Sequence, residues 1–159
     1  MSQETSGSGL RILVVEDEAL IALELESLLE DLGHIPVGVA TNSQEAIALG
    51  RDTTPDLALV DIHLVDGPTG VEVARALSAD PRILVLFMTA NAKRIPDDFA
   101  GALGVIPKPY SERCVASALA YVAACRAGAT PSRDTIDGFS LAPLAAEACG
   151  RAAWGEPRH

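Results

Sequence analysis

Apolar residues along this chain come in short uninterrupted runs, separated by stretches with helical spacing. The first run, residues 10–15, has strand length. Over residues 19–32, Ile21, Leu25, Leu28, Leu29 and Leu32 recur at helical spacing with acids on the other face, and Gly33 supplies the stop. Residues 35–40 predict a second strand, which Pro36 places at a sheet edge. Asn42 with Glu45 three positions later is a cap signature opening a helix to about Arg51. Pro55 breaks the chain before a third strand at 56–60. A short helix over 71–79 follows, and Pro81 precedes a fourth strand at 82–87. A weak helix is predicted at 97–102 and a short fifth strand at 103–106. Ser111 then caps a helix over 112–126 with Val115, Ala118, Leu119 and Val122 on one face.

Strictly alternating strands and helices require right-handed crossovers and a parallel sheet covered on both faces. The near-uniform apolarity of the first, third and fourth strands puts them at its centre. Residues 1–9 predict a flexible leader, 10–126 one α/β domain, and 127–159 a C-terminal extension of Gly, Ala, Thr, Pro and Ser. Within the extension a short helix is predicted over 141–154, with Trp154 as a local anchor. The extension is too small and irregular to form an output domain.

Composition narrows the class. Hydrophobic residues make up 48% of the chain and aromatics 4%, which suits a Leu/Val/Ile/Ala core under Ala-rich helices. The net charge is -10, and three Arg against four acids leave the extension about -1 of it. An acidic surface without a basic stripe argues against nucleic acid and anionic membrane as partners. No apolar run reaches membrane-spanning length and the first nine residues hold no signal-peptide core, so a cytoplasmic protein is expected. Cys114, Cys125 and Cys149, with no CxxC pair, read as ordinary thiols.

The chemistry collects at strand ends. Asp61 closes the third strand, Glu16-Asp17 follow the first, Thr89 follows the fourth and Lys108 the fifth. The carboxyl ends of parallel strands are where open α/β sheets place their chemistry. Acids crowded there are unfavourable unless a cation neutralises them, and hard carboxylate oxygens open to water suit Mg²⁺. A carboxylate nucleophile, a hydroxyl and a fixed ammonium are what phosphoryl transfer needs. Glu18 reads as an acid favouring the helix dipole.

The string ILVVED at 12–17, Asp61 followed by His63 and Gly67, Phe87-Met88-Thr89-Ala90, and Lys108-Pro109-Tyr110 together resemble the receiver domain of two-component response regulators. The resemblance covers about residues 10–126. It implies a flavodoxin-like, doubly wound, five-stranded parallel sheet of order 2-1-3-4-5. By position, Asp61 resembles the phosphoacceptor, Glu16 and Asp17 the Mg²⁺ acids, and the backbone carbonyl of His63 a further metal ligand. Thr89 resembles the switch hydroxyl and Lys108 the phosphate-binding lysine. The implied partners are a sensor histidine kinase and a downstream protein or phosphotransfer partner. The apolar stripe of 112–126 makes a homodimer possible.

Two departures stand out. Three residues before the lysine the family usually carries Tyr or Phe, where this chain has Val105. The stretch from Thr89 to Lys108 is also about one helical turn short and contains Pro96. Both features resemble a stand-alone receiver branch frequent in alphaproteobacteria, with a shortened fourth helix and no switch aromatic. They make 90–102 the expected mobile, signalling segment. Two other classes share part of this chemistry. A phosphatase of the haloacid dehalogenase type shares the Asp nucleophile, but needs a second acid where His63 stands and its acid pair after the lysine. A phosphorylation-independent pseudo-receiver scaffold would have no need of Asp61 and Lys108.

Overall fold

The computed structural model describes residues 9–129, 131 and 138–142. Its sheet runs β2-β1-β3-β4-β5-β6. The strands β1 (Arg11–Val15), β2 (Ile35–Ala40), β3 (Leu57–Asp61), β4 (Leu84–Thr89) and β5 (Gly104–Pro107) are all parallel. β3 and β4 are buried along their whole length and β1 along all but Arg11, as continuous apolar runs demand of strands covered on both faces. β2 is an edge strand with a register shift opposite Ile12/Leu13, next to Pro36, which has no N–H to give a ladder.

Two apolar layers sandwich the sheet. On one face α1 (Ala19–Asp31) buries Ala22, Leu25 and Leu29, and α4 (Glu112–Arg126) buries Val115, Ala118, Leu119 and Val122, against Ile12, Val14, Leu59 and Leu86. On the other, α2 (Ser43–Thr53) and α3 (Gly70–Ser78) cover Leu13, Val15, Val60 and Phe87. The expected caps form: Asn42 accepts from the Glu45 amide at 2.8 Å and Ser111 from the Cys114 amide at 3.0 Å. Each satisfies an amide that the first turn leaves without a helical partner.

Three expectations are corrected. Among the described residues the sheet has six strands, because β6 (Ser140–Leu141) joins the outer edge of β5 antiparallel. Leu141, predicted to open a helix, is therefore extended; the remainder of that predicted helix, Trp154, and residues 1–8 of the leader lie outside the described residues. Gly104 explains the contact: a Cβ there would stand 2.2 Å from the Ser140 carbonyl oxygen. Phe139 and Ala142 are buried on either side, Phe139 edge-on to Tyr121 with ring centroids 5.9 Å apart.

Second, no α-helix lies between β4 and β5. Two 3-10 turns, Ala92–Arg94 and Phe99–Gly101, replace the shortened fourth helix. Asn91 and Asp98 accept hydrogen bonds from the amides of Lys93 and Ala100, two residues on, a local pairing that competes with helix. Pro96 removes one more donor. Third, Cys125 is disulfide-bonded, against the expectation of ordinary thiols, while Cys114 is a buried thiol on the same helix.

Gly104→Val should force β6 off the edge at a cost of about 1–3 kcal/mol. Amide exchange is the measure: the Ala142 amide, which donates to the Leu103 carbonyl at 2.8 Å, should exchange faster while β1 and β3 stay protected.

Candidate functional site

Parallel strands bring their carboxyl ends to one side of the sheet, and the residues singled out by sequence meet there. Lys108, just past β5, donates from Nζ to Glu16 Oε1 at 2.8 Å and to Asp61 Oδ2 at 3.0 Å. One ammonium thus bridges the residue following β1 and the residue ending β3, strands that are neighbours in the sheet. Glu16 is 4% exposed and Asp61 9%, so neither carboxylate could stay charged there without a partner. Burial pushes the Glu16 carboxyl up, and the Lys108 hydrogen bond only partly opposes it. For Lys108, burial would lower the ammonium, but the hydrogen bonds to Glu16 and Asp61 prevail and hold it above the usual lysine range.

Asp17 is half-buried and turned toward the same volume. One carboxylate oxygen each from Glu16, Asp17 and Asp61 can be chosen so that all lie within 4.8 Å of one another. The second Glu16 oxygen accepts from the Glu18 amide at 3.1 Å, whereas Asp61 Oδ1 has only a long bond, 3.3 Å, from the His63 amide among the described residues. Among the described residues that oxygen takes no other hydrogen bond, so most of its accepting capacity is unused. Hard oxygens, one carboxylate open to water and a lysine that already offsets part of the charge fit Mg²⁺, which takes few protein ligands.

The backbone of Asp61 is set by Gly70, the first residue of α3. A Cβ there would lie 2.1 Å from the Asp61 carbonyl oxygen, so α3 starts directly against the site. The Gly70 amide donates to the Ile62 carbonyl at 2.9 Å. Thr89 is buried at the end of β4, its hydroxyl oxygen accepting from the Asn91 amide at 3.0 Å, and its carbonyl takes the Lys108 amide at 2.9 Å. The His63 side chain is exposed, away from the carboxylate cluster's hydrogen bonds. Val105 lies one layer below, buried in the core on the α3 side. The Lys108-Pro109 peptide is cis.

Two features had no clear signal in the sequence. A cleft of about 390 Å³ opens beside Lys108, lined by Ile21, Glu24, Ala90, Pro109 and Tyr110. Asp66, bonded to Ser43 and Thr69, and the corner between β2 and α2 also join the site's surroundings.

Comparison with known proteins identifies the family. The family model for the response regulator receiver domain matches residues 12–120. The chain belongs to that family. Its receiver resembles the phyllosphere-induced regulator PhyR of Methylorubrum extorquens, 42% identical over 84 residues, which are 52% of this chain and 32% of PhyR. It also resembles the chemotaxis protein CheY of Thermotoga maritima, 28% identical over 115 residues, covering 70% of this chain and 95% of CheY. Among solved structures, the receiver domain of Erythrobacter litoralis PhyR superposes with a TM-score of 0.65 at 28% identity, covering 74% of this chain and 92% of that one. The chain spans half or less of the length of the first curated relatives it matches. Receivers are phosphorylated signalling domains that bind Mg²⁺ at an acidic pocket, and the described residues of this one hold such a pocket.

Lys108→Met should leave Glu16 buried without a counter-charge, costing about 3 kcal/mol at pH 7 in metal-free buffer. Because burial favours protonated Glu16, folding takes up a proton there and the penalty should shrink as the pH falls toward 4.5. The wild-type ammonium, held high in the fold, should keep its contribution below pH 10.5 and lose it only as the pH climbs through its raised value. Urea denaturation of both proteins at pH 7 and pH 5 checks the sign.

Proposed function

We propose that this receiver accepts a phosphoryl group from a histidine kinase on Asp61. The observation that supports it is the Lys108 bridge, which occupies Asp61 Oδ2 and leaves Oδ1 as the under-used oxygen of the pair. Oδ1 forms a bond to phosphorus as the bond from phosphorus to the imidazole nitrogen of the donor breaks; the electron pair stays on that nitrogen, and the ring, already protonated on its other nitrogen, leaves as neutral imidazole. Glu16, Asp17, Asp61 and the backbone carbonyl of His63 would hold Mg²⁺, which would spread the charge of the transferred group. Lys108 follows the charge from the carboxylate to the phosphoryl oxygens, and Thr89 exchanges the Asn91 contact for donation to one of them. A hydrolase of the dehalogenase kind would use an acid at position 63; the exposed His63 suits a plain acceptor better.

The surroundings suit docking of a protein donor. Leu20 is 68% exposed on α1 and Val65 69% exposed on the loop after Asp61, one exposed apolar side chain on each of the two segments that follow the carboxylates. Output passes through protein contacts. Structures titled anti-anti-sigma factor PhyR, such as that from Bartonella quintana (TM-score 0.60, 32% identity, 72% of this chain and 47% of that one), carry a receiver like this one. Signal leaves the site through 90–103, which divides in two. Residues 91–94 are exposed, while Asp98 pairs with Arg75 at 3.0 Å and the Ala100 carbonyl accepts from Ser78 Oγ at 3.0 Å. With Val105 in place of an aromatic, motion of Thr89 reorders the loose half against the anchored half.

Asp61→Asn should take no label from acetyl phosphate or a cognate kinase in Mg²⁺, and full labelling of that variant would refute the assignment. Asp17→Ala should weaken Mg²⁺ binding measured by calorimetry. Beryllofluoride should slow amide exchange at 91–95 while 98–102 barely changes; equal protection of both halves in both states would sink the division.

A further inference from the structure

We infer that the corner between β2 and α2, residues 40–45, is the alignment post of the site, and that Asp66 is the positioning residue that moors the phosphoacceptor loop to it. The inference rests on the reading of Asp61 and its acid neighbours as the phosphoacceptor site.

Two consecutive carbonyls at the end of β2 hold the two loops that carry the carboxylates. Ala40 accepts from the Glu16 amide at 2.9 Å, and Thr41 accepts from the Val65 amide at 3.0 Å. β2 and β3 are not neighbours, since β1 lies between them. The loop after Asp61 must therefore lean about two strand spacings, roughly 10 Å, across the acid pair to reach this corner. A single rigid corner thus fixes where Glu16-Asp17 and the Asp61 loop lie relative to each other.

Asp66 makes the second mooring. Its Oδ2 accepts from Ser43 Oγ at 2.6 Å and, more weakly, from the Ser43 amide at 3.3 Å; its Oδ1 accepts from Thr69 Oγ1 at 2.6 Å. Ser43 is the first residue of α2, so the carboxylate also faces the positive end of that helix. The corner is itself stiff. Asn42 caps the Glu45 amide, and Glu45 Oε1 takes the Thr41 amide at 2.9 Å. Between the moorings the loop closes on itself, Leu64 and Gly67 exchanging backbone bonds with Gly67 at φ 112°. His63 is thereby held in a loop fastened to the post at Val65 and Asp66.

Exposed bonds of this kind add little to global stability, so their effect belongs to the geometry of the loop. Partners that orient metal-ligating groups typically change affinity by 10–100-fold when removed.

The test uses the full chain with Asp66→Ala, Ser43→Ala, the double variant, and Ser43→Thr, which keeps the hydroxyl. Mg²⁺ affinity is measured by calorimetry, and amide exchange at 62–69 is measured without metal. Asp66→Ala should bind Mg²⁺ about tenfold more weakly and exchange faster at His63 and Val65, with α1 and β4 unchanged. The double variant should be no worse than Asp66→Ala, and Ser43→Thr should restore wild-type behaviour. Wild-type affinity and exchange in Asp66→Ala would overturn the inference, as would acceleration spread over the whole molecule. A wild-type chain that binds no Mg²⁺, with the exchange differences as expected, would instead strike the metal reading and support the mooring.

Discussion

Everything at the carboxyl end of this sheet depends on one ammonium shared between two buried carboxylates. Glu16 and Asp61 sit at the ends of adjacent central strands, where apolar runs below them leave little solvent, and their charges repel. Lys108 makes that crowding tolerable, and it can do so only because β5 runs parallel to β1 and β3 and ends at the same height. The parallel order is in turn a consequence of strict strand–helix alternation. Sequence pattern, topology and electrostatics therefore lead to a single small volume.

That chain of dependence explains why so much of the site was legible beforehand. Asp61, Thr89 and Lys108 each close or follow an unbroken apolar run, a signal that survives without coordinates. The caps at Asn42 and Ser111 were readable for a similar reason, since a side chain bonding an amide three residues on is a local event. The moorings were not readable. Asp66 looks like half of an Asp-Gly turn, and nothing local says that its oxygens reach Ser43, 23 positions earlier. Contacts between loops of strands that are not neighbours follow from the assembled sheet and leave no periodic trace.

The stretch between β4 and β5 failed as a helix because short polar side chains offered the backbone nearer partners. Asn91 and Asp98 close local turns, and Phe99, Ala100 and Gly101 then take φ values of 54°, 50° and 84° in succession. Two of these are not glycine, and left-handed conformations at such residues persist only where surroundings impose them. Here the surroundings are α3, through Arg75 and Ser78, and the complete burial of Ala100. Strain and mooring are thus concentrated on the side of the segment away from Thr89.

The sixth strand has a consequence for how the molecule comes into being. β5 is complete at Pro107, yet its outer edge is covered by residues 138–142, made 35 residues later. At ordinary rates of synthesis that interval is roughly two to seven seconds, long compared with the formation of helices and neighbouring strands. During it the nascent sheet carries an open edge and an unfilled place beside Tyr121, a condition in which edges recruit foreign strands. Phe139 and its neighbours cover that edge only once β1 to β5 have been made, so among the described residues the last piece of the core to be translated is also the one that closes the β5 edge to mispairing.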